Sequence, residues 1–205
     1  DQLTFKNLNF EINLGKFNYI FTILCFVIFI NAFNMFDGIN CQAVSYSIVF
    51  LLTLFFLYDL SKILIIFIMI SLLNILILNF QNKVFLGDGG SLSIGYILSY
   101  LVIENYNFSK DPISPEEIFL LMIYPGTDMF RLFILRLYKR KNPFHADKSH
   151  MHHYILNKFP FKISISISIF LFSSPIILYY FFNLNILFVI IYFYLIYFIA
   201  LYNLK

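Results

Sequence analysis

The feature that most constrains this chain is a succession of long apolar stretches. A helix needs ~20 mostly apolar residues to cross a bilayer, and ~17 suffice. Because backbone amides in lipid find no water to bond, such segments must be helical. With 60% of its residues hydrophobic and 12% charged, the chain lacks the polar surface of a soluble domain. The candidate spans cover residues 18–34, 43–58, 62–80, 91–104, 117–138, 163–182 and 185–203.

These spans predict an all-α integral membrane protein with about seven transmembrane helices, in a single polytopic domain over residues 1–205. Residues 1–14 (DQLTFKNLNFEINL) alternate apolar and polar side chains, which predicts a short β segment outside the membrane. Lysine and arginine concentrate in the loops 34–42, 81–90 and 139–162, which share one side. The positive-inside rule makes that side cytoplasmic. The β segment is then extracytoplasmic, and residues 139–162 form a cytoplasmic loop rich in basic and histidine residues.

Unusual polar residues gather in the loops of the cytoplasmic side. The stretches are NAFNMFDGIN (31–40), FLGDGG (85–90) and HADKSHMHH (145–153). They are far apart in sequence, yet the alternation of spans brings them to one membrane face. A site at the membrane–water boundary needs such an arrangement. The net charge of +3 is too small to favour nucleic-acid binding.

Two acidic positions stand out within these stretches. Asn31, Asn34 and Asp37 recur every three residues, so they share one side of a helix. They either line a pocket or form an ordinary helix end that Gly38 caps. Asp88 lies among glycines before a helix expected to begin near Ser91. It either helps to hold a divalent cation with its phosphates or caps the helix.

The third stretch is a histidine cluster. His150, His152 and His153, with His145 nearby, can bind a metal, hold a phosphate or transfer protons. Their lysine and aspartate neighbours favour phosphate over zinc. A solvated loop that contains histidines by chance is the alternative.

A fourth polar group lies within a predicted span. Asp128 and Arg131 are three residues apart on a helix and are expected to form a structural pair. Arg136 lies nearer the cytoplasmic end, where its side chain either binds an anion or extends to the interface.

Four motifs occur together in a recognisable order. They are NAFNMFDGIN, FLGDGGSLSIG, PGTDMFR and RLYKRKNPFHADKSHMHHYIL. The set resembles the polyprenyl-phosphate N-acetylhexosamine-1-phosphate transferases over roughly residues 20–160. The form of the histidine motif is more similar to the WecA/TagO branch than to the muramoyl-pentapeptide branch.

The resemblance implies a Mg²⁺-dependent enzyme of the bacterial cytoplasmic membrane, with its active face cytoplasmic. Such an enzyme transfers a sugar 1-phosphate from a UDP-N-acetylhexosamine to polyprenyl (undecaprenyl) phosphate and releases UMP, which starts cell-envelope glycan synthesis. The resemblance also leaves open that the protein forms a homodimer. Carried over to this sequence, the catalytic residues are Asp37, Asp88, His150, His152 and His153. Asp88 and Asp37 are the metal ligands, and the substrate-binding residues are Asn31, Asn34, Phe85, Gly87, Gly89 and Arg136.

Two departures accompany the resemblance. The family usually carries an adjacent aspartate pair on an earlier loop, and no Asp-Asp pair occurs in these residues, so we expect the sequence to be N-terminally incomplete. Where the family often has a second acid and a second glycine, this chain has Asn40 and Cys41. Two other readings remain open. One is an inactive short paralogue that binds polyprenyl phosphate or a partner enzyme, and the other is a transporter with Asp128 and Arg131 on its pathway.

Overall fold

The computed structural model describes residues 2–142 and 148–204. An N-terminal hairpin consists of β1 (Gln2–Phe5) and β2 (Phe10–Asn13), and a 3₁₀ turn at Gly15–Phe17 follows. The helices are α1 (Asn18–Phe36), α2 (Gln42–Leu57), α3 (Lys62–Phe80), α4 (Gly87–Phe108), α5 (Pro115–Leu121), α6 (Ile123–Tyr138), α7 (Met151–Lys158), α8 (Phe161–Tyr180) and α9 (Ile186–Leu204). The predicted helical class and the β segment are both confirmed.

Judged by length and composition, fewer helices qualify as membrane spans than the predicted seven. Among the described residues, α3, α8, α9 and the segment Gly15–Phe36 are long and apolar enough to cross a membrane. A fifth span results if α5 and α6, which meet at a 77° bend, are counted together. Helix α2 has only 16 residues. The chain is thus a multi-pass membrane protein, and the seven-span topology remains a prediction.

The bend between α5 and α6 follows from Pro125. Proline has no N–H, so it cannot donate to the carbonyl of Leu121 four residues earlier. The Tyr46 hydroxyl takes that place and donates to the Leu121 oxygen over 2.7 Å. The predicted span 117–138 was therefore wrong as one continuous helix, because proline interrupts its hydrogen bonding.

Two other predicted boundaries were also wrong. Helix α4 begins at Gly87 rather than near Ser91, so the glycine-rich stretch forms its first turn instead of a preceding loop. The interval 139–162 extends two residues into α8 and contains the short helix α7, and its placement as a cytoplasmic segment between spans stays a prediction. His145 lies outside the described residues.

The hairpin is attached to the end of the bundle where α4 ends and α5 begins. Its strands pair antiparallel, with Phe5 opposite Phe10 and their rings stacked 4.4 Å apart. The Tyr106 hydroxyl donates to the Gln2 carbonyl over 2.7 Å. Lys6 forms an ion pair with Asp111. These contacts lie at the end of the bundle opposite to the C-terminus of α1.

Close packing of α1 against α4 positions the other end. A Cβ added at Gly95 would lie 3.4 Å from the Cα of Ile30, so glycine allows the two helices to approach. Nearby, an aromatic cluster joins α1 to α2, α6 and α8, with Phe36 packing edge-on against Tyr46, Tyr124 and Phe172. The C-terminus of α1 and the N-terminus of α4 are thereby fixed beside each other.

Candidate functional site

The end of α1 supplies the first acid of the site. The helix stops at Phe36, and the Gly38 amide donates to the Phe36 carbonyl over 2.9 Å. Asp37 directly follows the helix and is half-buried. One turn earlier, the Asn34 side-chain oxygen accepts a hydrogen bond from the Ser91 hydroxyl on α4. Ser91 was missed as a site residue, since nothing in the sequence pairs it with Asn34.

The first turn of α4 supplies the second acid. Asp88 is exposed, and the preceding Gly87 has a φ of +64°, a conformation that favours glycine. A helix N-terminus carries free N–H groups and a partial positive charge, which suits anions. Burial, followed by the neighbouring Asp88 charge, raises the pKa of Asp37 to about 6. The two carboxylates are therefore close enough to repel each other.

The histidine motif packs against the residue that follows the first acid. A Cβ added at Gly38 would lie 1.8 Å from His152 Nε2 and 2.3 Å from Cε1. The His152 ring thus rests directly on the Gly38 backbone, and only 1% of the residue is exposed. This contact brings the 31–40 stretch and the 145–153 stretch together, as the sequence predicts.

The three histidines lie at the start of α7, where they form one group. The His150 and His152 rings are stacked 5.3 Å apart, and the His152 and His153 rings lie 4.4 Å apart. Burial, followed by the neighbouring His153 and His150, lowers the pKa of His152 to about 3. His152 is therefore neutral at pH 7.

Asp128 on α6 binds the start of this motif. Its Oδ2 lies 2.7 Å from His150 Nδ1, and its Oδ1 accepts from Arg131 Nη2 over 2.8 Å and from the Tyr197 hydroxyl over 2.6 Å. The predicted pair of Asp128 with Arg131 is confirmed. The contacts with His150 and with Tyr197 on α9 were missed, because no local spacing relates residues so far apart in the sequence.

Two sets of residues offer ligands for a metal. Asp128, His150 and His152 present three ligand atoms within 4.8 Å of one another. Arg131 already balances the charge of Asp128, however, and hydrogen bonds already engage both of its oxygens. Asp37 and Asp88 fit Mg²⁺ better, because Mg²⁺ prefers carboxylate oxygens and these two repelling charges gain from a cation between them.

The remaining candidate residues differ in how far they are exposed. Phe85 is 71% exposed, and a Cβ added at Gly89 would meet no atom within 4 Å, so both face open space. Asn31 is exposed and its side-chain amide donates to the Val27 carbonyl of its own helix, and its substrate-binding role stays a prediction. Arg136 is only 4% exposed, which contradicts the alternative in which it extends to the membrane interface.

The two positions that depart from the family motif have structural roles. The Asn40 side-chain amide donates to the Asn82 side-chain oxygen over 2.7 Å. Cys41 has a φ of +69°, a left-handed conformation that costs a non-glycine residue ~1–2 kcal/mol. The Cys41 amide donates to the side chain of Asn79, which holds this turn in place. The backbone therefore keeps a conformation suited to glycine at a position where the sequence has cysteine.

Comparison with known proteins shows the family of this chain. The model of the family described as glycosyl transferase family 4 matches residues 2–105, which is half of the chain. An undecaprenyl-phosphate alpha-N-acetylglucosaminyl 1-phosphate transferase of Escherichia coli K12 is 34% identical over 159 residues, covering 72% of this chain and 43% of the relative. Proteins of the same description from Salmonella typhi and Yersinia pestis are 34% identical over 157 residues, covering 71% of this chain and 42% and 43% of the relatives.

The chain spans less than half the length of these curated relatives. No solved structure matches it. The family match begins in the hairpin and ends within α4, so it includes both Asp37 and Asp88. The chain belongs to glycosyl transferase family 4.

Proposed function

We propose that this protein transfers N-acetylhexosamine 1-phosphate from a UDP-sugar to polyprenyl phosphate and releases UMP. The observation that carries the proposal is geometric: the Ser91–Asn34 hydrogen bond joins the helix end that precedes Asp37 to the first turn that carries Asp88, and His152 packs on Gly38 beside them. Relatives whose names describe transfer of N-acetylglucosamine 1-phosphate to undecaprenyl phosphate support it.

The reaction exchanges one phosphoanhydride bond for another. An oxygen of the lipid phosphate bonds to the phosphorus that carries the sugar, and the bond from that phosphorus to UMP breaks. Because all the reacting groups are anionic, catalysis consists mainly of positioning and charge neutralisation. Bound at Asp37 and Asp88, Mg²⁺ would supply that neutralisation at the diphosphate.

The chain's own residues then divide the remaining tasks. Asp37, a half-buried carboxylate at the end of α1, can take the proton of a singly ionised lipid phosphate. The α4 N-terminus beside Asp88 offers N–H groups to a phosphate. His150 and His153 supply imidazoles that can hold the diphosphate or the nucleotide. Arg136 supplies a positive charge on the same helix as Asp128.

The proposed site faces the cytoplasm of a bacterial inner membrane. The lysine and arginine bias toward the loops at this end supports that orientation. The substrates fit the location, because a UDP-sugar is water-soluble and the prenyl tail of the acceptor lies in the bilayer. A homodimer stays a prediction.

The test is UMP release by the natural full-length protein in its membranes, given UDP-N-acetylglucosamine, undecaprenyl phosphate and Mg²⁺. We expect release only when all three are present, and we expect Asp88→Asn to abolish it. Asp111→Asn is the matched control, because its exposed carboxylate pairs with Lys6 at the opposite end. Release by Asp88→Asn at the wild-type rate would refute the metal-ligand role.

A second outcome would support the alternative reading. If the wild-type protein binds undecaprenyl phosphate but releases no UMP under any of these conditions, the chain is a lipid-binding paralogue. The replacement of the second motif acid by Asn40 is the observation that favours this alternative.

A further inference from the structure

We infer that Asp128 is a positioning residue that fixes the ring tautomer of His150 and anchors the helix carrying His152 and His153. The inference rests on the proposed function for its kinetic consequence, although its structural part can be tested without activity. Asp128 lies on α6, outside the acid pair to which the metal is assigned.

The first step concerns the His150 ring. Its Nδ1 lies 2.7 Å from Asp128 Oδ2, and the carboxylate can only accept. Nδ1 therefore carries the hydrogen, and a neutral His150 has its lone pair on Nε2. A carboxylate that holds one ring nitrogen sets which nitrogen of the ring can react.

The second step concerns helix α7. The Met151 amide, the first within this helix, donates to Asp128 Oδ1 over 3.2 Å and lies 3.4 Å from Oδ2. The carboxylate thus satisfies an amide that lacks a partner within the helix, and its charge opposes the positive end of the helix dipole. One side chain on α6 therefore holds both His150 and the turn that carries the next two histidines.

The third step concerns what holds Asp128 itself. Arg131 Nη2 donates to Asp128 Oδ1 and, over 2.7 Å, to the Ser149 carbonyl, so it fixes the residue that precedes His150. The Tyr197 hydroxyl donates to the same carboxylate oxygen and accepts from Arg131 Nε over 2.8 Å. Asp128 is 3% exposed, so water does not compete for these bonds. The carboxylate orientation is fixed from two helices before it reaches His150.

The structural test uses the full-length protein labelled with ¹⁵N-histidine in detergent micelles, and the His150 signal is assigned by its loss in His150→Gln. We expect the wild-type His150 to show hydrogen on Nδ1 and a free Nε2. We expect Asp128→Asn to abolish that signature, since its amide can donate to Nδ1. A wild-type His150 that carries its hydrogen on Nε2 overturns the inference, even if the Asp128 variant fails to fold.

The kinetic test separates positioning from a merely structural role. We expect Asp128→Asn to lower kcat for UMP release about 10- to 100-fold with KM nearly unchanged, the range for residues that orient a functional histidine. In a His150→Gln background the same change should add little, because Asp128 acts through that ring.

Tyr197→Phe is the comparison variant. It removes one of the hydrogen bonds that orient Asp128 but keeps the carboxylate on His150, so it should lower the melting temperature, leave the tautomer in place and lower kcat less than Asp128→Asn does. Equal losses of kcat in Tyr197→Phe and Asp128→Asn, or full additivity with His150→Gln, would show that the network only stabilises the fold. A wild-type protein that releases no UMP but shows the expected tautomer refutes the proposed function and leaves the tautomer assignment standing.

Discussion

The contact between Gly38 and His152 makes the sharpest prediction for the site. In Gly38→Ala the new methyl carbon would lie 1.8 Å from His152 Nε2, whereas ordinary contact begins at 3.4 Å. The ring must therefore move by about 1.6 Å, or the α1–α2 turn must open by the same amount. Because His152 is 1% exposed, its ring has no open space to enter. Either movement changes how the histidine group packs on Gly38, the residue that follows Asp37.

The expected loss follows from that displacement. Inserting a methyl group into a packed region costs ~1–3 kcal/mol of unfolding free energy. A misplacement of ~1 Å in a catalytic arrangement can cost ~10²-fold in rate. We therefore expect Gly38→Ala to lower the rate of UMP release about 100-fold or more and to lower the melting temperature. The assay is UMP release in membranes, beside thermal unfolding of the purified protein in detergent.

Gly126→Ala is the matched control for this experiment. Gly126 lies within α6, and a Cβ there meets no atom within 4 Å. Replacing a helical glycine by alanine in open space stabilises by up to ~1 kcal/mol. We expect this variant to keep its activity and to melt no lower than the wild type. Wild-type stability and rate in Gly38→Ala would refute the packing of His152 on Gly38 and the arrangement built on it.

Two further predictions concern stability. Because the pKa of His152 is lowered to about 3, the unfolded chain binds a proton that the folded chain excludes, so stability should fall as pH drops from 6.5 toward 3. His152→Gln should flatten that dependence of the melting temperature on pH, and an unchanged slope would contradict the buried neutral ring. At the other end, Glu116 Oε1 accepts from the Asn7 amide over 2.6 Å and from its side chain over 3.2 Å. Asn7→Ala removes that side-chain bond and the 2.9 Å bond from the Asn7 side chain to the Tyr179 hydroxyl, and it keeps the backbone bond to Glu116. It should cost ~1 kcal/mol for each lost bond in denaturant unfolding, with faster proteolysis of the hairpin. Equal cleavage rates would show that the Asn7 side chain does not anchor the hairpin.

Much of the architecture could be predicted from local sequence. The apolar stretches 18–34 and 62–80 predicted α1 with a two-residue error at its end and α3 with none, because lipid permits little else there. The alternation of residues 1–14 predicted the hairpin. Counting the predicted spans placed three stretches at one end of the bundle, namely 31–40, 85–90 and 145–153. The structure brings them together there, although not every predicted span is long and apolar enough to cross a membrane.

The wrong helix boundaries arose where the same residue type occurs in two kinds of local structure. Glycines in 85–90 indicated a loop, but only Gly87 has a positive φ, and the others continue into the first turn of α4. Pro125 could have been recognised as a break, yet the apolar residues around it predicted one continuous span. Tyr197 could not have been found, since its contact with Asp128 depends on how α9 packs rather than on any local pattern.

The surroundings of Asp128 differ from those of Asp37 and Asp88, and the difference suits these carboxylates to different roles. Asp128 is enclosed, Arg131 balances its charge, and His150 lies against its other oxygen, so it is suited to hold other groups still. Within residues 2–142 and 148–204, the ion pairs of the carboxylates do not include Asp37 or Asp88, although the two acids repel each other. A half-buried carboxylate next to another negative charge is unfavourable unless a cation or a proton relieves it. On the proposed function, the acid pair would bind the cation, whereas the Asp128 network, whose charge Arg131 already balances, would position the imidazoles.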